Sequence, residues 1–293
     1  MKNSPKAIFL LFLTAIIWGF AFVAQTVVID VLSSYAFNGI RFILGGLSLV
    51  PVVFLFEKEE KNLAKLKKTI LAGICAGVIL FIASTLQQTG IAITKSAGKA
   101  GFLTGLYTVL VPVIYFLFFR KKTHFLTWIG VVFAIGGLYL LTTGGSGFEN
   151  VGIGDLVLII GAIFWALHII VIDRFVNEIS PIRFAMTQFL TCGAISLVVA
   201  LSSGGIDIDA VKISLVPILY GGVMSAGVAY TCQILGQKNA DPTFASIILS
   251  TESVFSAIGG ALILGEKMSL FGYMGCALIF VGIVLSQLKQ SNE

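Results

Sequence analysis

A carboxylate in the middle of an apolar run is the first residue that chemistry singles out. Glu252 stands eleven residues into the stretch 242–264, with Ser253 beside it and Ser256 one helical turn on. A charge near a bilayer centre costs on the order of 3 kcal/mol on insertion scales and must face protein or water. Glu252 therefore either binds or gates, with a proton as its exchange partner, or is a protonated or hydrogen-bonded structural carboxyl. Trp18 and Gln25 share a helical face at seven-residue spacing, and Trp165 and His168 share one three residues apart. An aromatic ring and a polar group on one face suit a pocket that stacks on and hydrogen-bonds an organic solute. A packing aromatic with one satisfied polar neighbour is the plainer reading, and the spacing leaves both open.

Further polar groups lie where lipid tolerates few. Ser84, Thr85, Gln87 and Gln88 form one patch, Tyr230, Thr231 and Gln233 a matching one, and side-chain amides of this kind are expected to face a bundle interior. Thr104, Tyr107 and Thr108 precede Pro112, an expected kink. Arg41 has Asn38 on its own face three residues earlier and lies about 9 Å from a span end by helix rise. It is read as structural, either snorkelling outward or tying helices, with direct substrate contact as the alternative. The candidate substrate-binding set is Trp18, Gln25, Gln88, Tyr107, Trp165, His168, Tyr230 and Glu252, and the structural or gating set is Asn38, Arg41 and Pro112.

No arrangement for enzyme chemistry accompanies them. The chain has no H-E-x-x-H, no G-x-S-x-G, no Gly-rich Walker loop, and only two histidines, His124 and His168. No metal, cofactor or ATP hydrolysis by this chain is expected. Cys75, Cys192, Cys232 and Cys276 sit singly in apolar stretches and read as packing residues.

The elements that must position these residues follow from composition. Of 293 residues, 57% are hydrophobic and 11% charged, whereas a soluble domain carries roughly a quarter charged residues. Ten stretches are long enough to cross a hydrocarbon core, near 7–29, 35–56, 69–91, 97–119, 125–143, 154–173, 181–202, 213–235, 242–264 and 269–287. The first continues to Ile29 and is read as a span, not a cleaved signal peptide. The net charge of +5 does not point to nucleic acid, because the basic residues lie in short runs between apolar stretches. With the N-terminus inside, fourteen basic residues fall in cytoplasmic stretches and four outside, which places both termini in the cytoplasm.

The second half echoes the first at an offset of about 146 residues, pairing Trp18 with Trp165, Ser34 with Ser180, Gln87 with Gln233, Gly90 with Gly236, Phe125 with Phe271 and Gly136 with Gly282. Five spans per half put the halves in opposite orientations. The expected fold is an all-α integral membrane protein of ten transmembrane helices in two inverted five-helix repeats, residues 1–146 and 147–293. Such halves supply outward-open and inward-open states by exchanging conformations.

The stretches Ile17-Trp18-Gly19, Gly39-Ile40-Arg41-Phe42, Ala100 to Tyr107, and Ser250-Thr251-Glu252-Ser253-Val254-Phe255 running on to Leu264-Gly265-Glu266 resemble the drug/metabolite transporter superfamily, specifically the bacterial EamA-type exporters. The resemblance covers nearly the whole chain. It implies a cavity lined by spans one, three, four, six, eight and nine, a bacterial cytoplasmic membrane, and export of amino acids or similar metabolites or drugs, with protons as a coupling partner. The chain departs from the pattern where Phe119-Arg120 replaces the Gly-Glu of Gly265-Glu266. The expected partners are a small-molecule substrate and the lipid bilayer. A homodimer is compatible, and connections of about a dozen residues leave little for a large protein partner. The rival readings are a non-transporting membrane protein, a receptor or assembly factor, and an intramembrane enzyme.

Overall fold

A computed structural model describes residues 4–57, 60–95, 97–120, 124–143, 152–265 and 269–287. Lys2, Lys58, Lys121, Lys122, Glu266, Lys267, Lys289 and the repeat boundary at 146 and 147 lie outside the described residues.

The helices begin where the sequence supplies caps. Ser4 accepts from Ala7 N ahead of Pro5 and opens α1 (Pro5–Val28), and Ser33 accepts from Ala36 N to open α2 (Ser34–Ser48). After α3 (Val50–Phe56), Asn62 accepts from Lys65 N to start α4 (Leu63–Thr94), a 32-residue helix. The sequence places this span at 69–91. The helix begins earlier because one turn rich in lysine extends past the apolar run and is held by the Asn62 cap.

Then come α5 (Ala97–Gly105), α6 (Tyr107–Phe119), α7 (Phe125–Thr143), α8 (Ile153–Phe175) and α9 (Pro181–Ser202). The eighth predicted span is composite: α10 (Ile208–Ile213) and α11 (Leu215–Leu219) lead into a π-helix (Tyr220–Tyr230) that continues as α12 (Thr231–Gln237). Asp241 and Pro242 start α13 (Pro242–Leu249), followed by α14 (Glu252–Ile263) and α15 (Leu270–Gln287). Among the described residues there is no strand.

Seven helical stretches are long and apolar enough to cross a membrane, and three shorter apolar helices, Leu103–Phe119, Phe125–Leu140 and Leu270–Gly282, join them. Large apolar side chains point outward, Phe54 at 81%, Phe118 at 77% and Leu262 at 75% exposure, while Gln88, Gln188 and Ser246 are buried at 1% or less. A soluble protein distributes these groups the other way round. The ion pairs of the described residues collect at the two ends of the bundle: Glu57 with Arg183, Glu60 with Lys65 and Lys68 with Glu178 at one, Asp30 with Lys95 and Asp209 with Lys212 at the other. The molecule is a multi-pass membrane protein.

The helices pair reciprocally. α2 packs on α9 and α7 on α15, while α4 lies against α8 and α9 as the π-helix lies against α1 and α2. Small residues carry these contacts. An added Cβ at Gly46 would lie 2.7 Å from Leu190 and one at Gly193 2.8 Å from Ile43; Gly90 meets Leu158 at 2.4 Å and Gly236 meets Leu11 at 2.9 Å. In the α7–α15 seam Gly137 faces the Gly275 carbonyl at 2.5 Å and Gly282 faces the Gly130 carbonyl at 2.6 Å. The partner of Gly282 in this exchange is Gly137, one residue on from the Gly136 matched by sequence.

Candidate functional site

The cavity at the middle of the bundle lies beside two local distortions of its helices. In the fourth predicted span the regular helical pattern is perturbed at Leu106 and in the ninth at Ser250-Thr251, while all three residues keep right-handed helical backbone angles. Just past these points the Tyr107 hydroxyl donates to Glu252 Oε1 at 3.1 Å, and both residues line the cavity.

Three rings wall the cavity. Trp18 from α1 stands 4.6 Å from Tyr230, and Trp165 from α8 lies 6.3 Å from each of them between ring centroids. The π-helix widens the backbone coil beside α1, and its Ser225 carbonyl accepts from Trp18 Nε1 at 3.4 Å. Exposures of 9% for Trp18, 8% for Trp165, 3% for Tyr107 and 4% for Glu252 show that these groups are largely shielded from water.

Gln25 and Gln233 add side-chain amides to the lining, and Gln87 donates to Thr104 Oγ1 at 3.4 Å. The Trp165 indole N–H and the Oε1 atoms of Gln25 and Gln233 are buried without a hydrogen-bond partner among the described residues. Arg41 also lines the cavity. Its Nε donates to Asn38 Oδ1 at 2.9 Å, and its guanidinium carbon lies 4.4 Å from the Phe42 ring centroid. A Cβ on Gly221 of the π-helix would stand 3.2 Å from Arg41 Cδ, so that glycine leaves the room in which the arginine lies.

Of the residues singled out in the sequence, Trp18, Gln25, Tyr107, Trp165, Tyr230 and Glu252 come together on this cavity, joined by Arg41. Gln88 and His168 stand behind the lining. Gln88 Nε2 donates to the Gln25 backbone carbonyl at 3.2 Å, and His168 Nε2 pairs with Gln188 Oε1 at 3.0 Å while its ring meets Trp165 and Tyr230 edge-on. Asn38 acts on the cavity through Arg41, and Pro112 is an interior proline of α6. Gln87, Gln233 and Thr104 were legible as polar patches but not as lining. Ser225 carried no signal, because its place depends on the π-helix.

Toward one end of the bundle, the end of Glu57 and Arg183, Tyr115 of α6 hydrogen-bonds Asp173 of α8. There Glu57 also accepts from Ile182 N at 2.8 Å and Arg183 N at 3.2 Å, capping α9 from outside that helix.

Comparison with known proteins gives a consistent result. The sequence profile of the EamA-like transporter family matches twice, over residues 5–143 and 152–288. An uncharacterized transporter of Archaeoglobus fulgidus is 28% identical over 94% of this chain and 84% of its own. The uncharacterized inner membrane transporter YedA of Escherichia coli strain K12 is 21% identical over 94% of this chain and 88% of its own, and the uncharacterized transporter YwfM of Bacillus subtilis 24% identical over 97% and 94%. One crystal structure superposes with a TM-score of 0.80, covering 99% of this chain and 100% of the other at 16% identity, a likeness of fold. With the profile matched along nearly its whole length, this chain belongs to the EamA-like transporter family.

Proposed function

We propose that this membrane transporter is a secondary carrier that exports small organic metabolites, such as amino acids or related compounds, by alternating access. The observation that carries the reading is the cavity inside the bundle, lined from both halves of the chain, on which Tyr107 and Glu252 meet. The arrangement is ten spans in two inverted repeats, 1–146 and 147–293. The reciprocal seams support it: several close contacts made by a glycine of one half have a counterpart with the halves exchanged, as in Gly46 with Leu190 and Gly193 with Ile43. An exchange of this kind is what lets two halves swap conformations around a fixed site.

The site residues are Trp18, Gln25, Tyr107, Trp165, Tyr230 and Glu252, with Gln88 and His168 supporting the wall. Glu252 is the group through which cargo exchanges with a proton, since both compete for one carboxylate. The membrane is the bacterial cytoplasmic membrane, with both termini in the cytoplasm. No motif for ATP hydrolysis accompanies the cavity, and coupling to a gradient is the reading that remains.

Counterflow in liposomes holding the purified protein tests this, with labelled amino acids, nucleosides and organic cations inside and outside. Saturable exchange of one class is the expected result. No exchange of any class by protein that elutes as a single folded species overturns the carrier reading.

A further inference from the structure

Two ionisable groups of opposite type, Arg41 and Glu252, face this cavity, and neither has a counter-ion among the described residues. Arg41 is 3% exposed and Glu252 4%. Among the described residues, no carboxylate lies within 4.0 Å of Arg41, and no Lys, Arg or His nitrogen within 4.0 Å of Glu252. Arg41 uses Nε for Asn38, and its terminal amino groups have no acceptor among the described residues. Its guanidinium rests on Phe42 at 4.4 Å and Phe37 at 5.2 Å, an arrangement that engages the ring faces and leaves the edge donors for a partner. The one hydrogen bond of Glu252 comes from Tyr107.

The two groups are not repeated between the halves of the chain. By the register that sets the N-cap Ser33 of α2 against the N-cap Ser180 of α9, Arg41 corresponds to Gln188, and the fourth span, 97–119, contains no acidic residue. Burying the Arg41 guanidinium without a partner is unfavourable, a ligand carboxylate relieves that, and an ammonium on the same ligand would pair with Glu252 in its ionised form.

We infer that Arg41 and Glu252 together read the charge of the cargo, which is a zwitterion with its carboxylate on the Arg41 fork and its ammonium on Glu252. This rests on the carrier reading above. The remaining unpartnered groups fit the same ligand: the Trp165 N–H is a further donor for a carboxylate, and the Gln25 and Gln233 carbonyl oxygens are acceptors for an ammonium. The faces of Trp18 and Tyr230 supply cation–π attraction and a surface for the apolar body.

The test is counterflow by the full chain in liposomes with zwitterions of graded size: glycine, leucine, phenylalanine, tryptophan and glycine betaine. Each of the four amino acids is accompanied by its amide, a cation, and its N-acetyl derivative, an anion. The expected result is that a zwitterion exchanges and that its singly charged derivatives lose about tenfold or more in competition, the scale of one lost charge-assisted hydrogen bond. Arg41→Gln is expected to raise the amide relative to the zwitterion, and Glu252→Gln the N-acetyl derivative. Arg41→Lys, which keeps the charge, is expected to weaken exchange while preserving the preference, and separates loss of recognition from loss of fold. Exchange of singly charged or neutral solutes as good as that of any zwitterion, or a preference unchanged in both charge-removing variants, overturns this inference and leaves the carrier reading standing. No exchange of any probe, nucleosides and organic cations included, overturns both.

Discussion

At the scale of single residues, the hydrogen bond from Tyr107 to Glu252 joins α6 to α14 at the cavity, so its partners are expected to act on coupling more than on folding. Glu252→Gln keeps shape and removes the exchangeable proton. Uptake into inside-out vesicles driven by a pH gradient is expected to vanish, while exchange at saturating cargo persists with weakened affinity; a gradient response retained by the variant would remove the proton from Glu252. Trp165→Phe keeps a ring and deletes a buried donor that has no acceptor among the described residues. Its expected cost is about 1 kcal/mol of cargo affinity, roughly fivefold, with unchanged thermal stability, as read by the half-saturation concentration in counterflow. Glu252 and the two tryptophans were legible in the sequence because a carboxylate or an indole is conspicuous in an apolar stretch. The choice between Gln87 and Gln88 was not, since one residue turns a helix by about 100° and composition is blind to that rotation. His168 showed the same limit: it is a polar residue at membrane depth, but its partner, Gln188, lies on a different helix.

At the scale of helices, the α7–α15 seam allows a sharper test of the reciprocal packing than any site residue. Gly137→Ala would set a Cβ 2.5 Å from the Gly275 carbonyl, and Gly282→Ala one 2.6 Å from the Gly130 carbonyl, both against backbone that has little freedom to move. Each is expected to cost about 1–3 kcal/mol through overpacking. Gly136→Ala has nothing within 4 Å and is expected to be neutral or stabilising by up to about 1 kcal/mol through helix propensity. Melting temperatures of the three variants in one detergent decide this, and a Gly136→Ala variant as damaged as the other two would contradict the seam. Hydropathy located the apolar intervals in which the helices lie, seven of them long enough to span, and missed their local distortions. The irregular turns at Leu49, Leu106, Ser214 and Ser250-Thr251, and the π-helix of Tyr220–Tyr230, depend on packing between helices, which hydropathy does not carry. Gly221, Gly222 and Gly227 were visible in the sequence, but glycine permits close packing and backbone irregularity alike.

Across the whole molecule, the two ends of the bundle are closed by different chemistry, and that difference sets the direction of a population shift. At the end of Glu57 and Arg183, cytoplasmic in the proposed orientation, Tyr115 bonds Asp173 and Glu57 caps α9, so α6 is tied to α8 and α3 to α9. The Asp30–Lys95 pair at the opposite end is well exposed, at 73% and 66%, and a pair in that setting holds little. Among the described residues, the hydrogen bonds at the Glu57 end therefore tie helices more firmly than that exposed pair does. Tyr115→Phe removes one hydrogen bond to a carboxylate, worth about 1.5–3 kcal/mol, from the closed state and nothing from a state in which α6 and α8 have parted. A bias of that size multiplies the inward-open population about tenfold or more wherever it is the minor state. Ser225→Cys, in a chain whose four native cysteines are replaced, reports on it, because Ser225 lines the cavity and is 2% exposed. Labelling by a membrane-impermeant maleimide from the cytoplasmic face is expected to accelerate in the Tyr115→Phe background by a similar factor, with no gain from the other face. Equal rates in both backgrounds would mean that the hydrogen bond between α6 and α8 does not hold the cavity shut, and faster labelling from the opposite face alone would reverse the assignment of the ends.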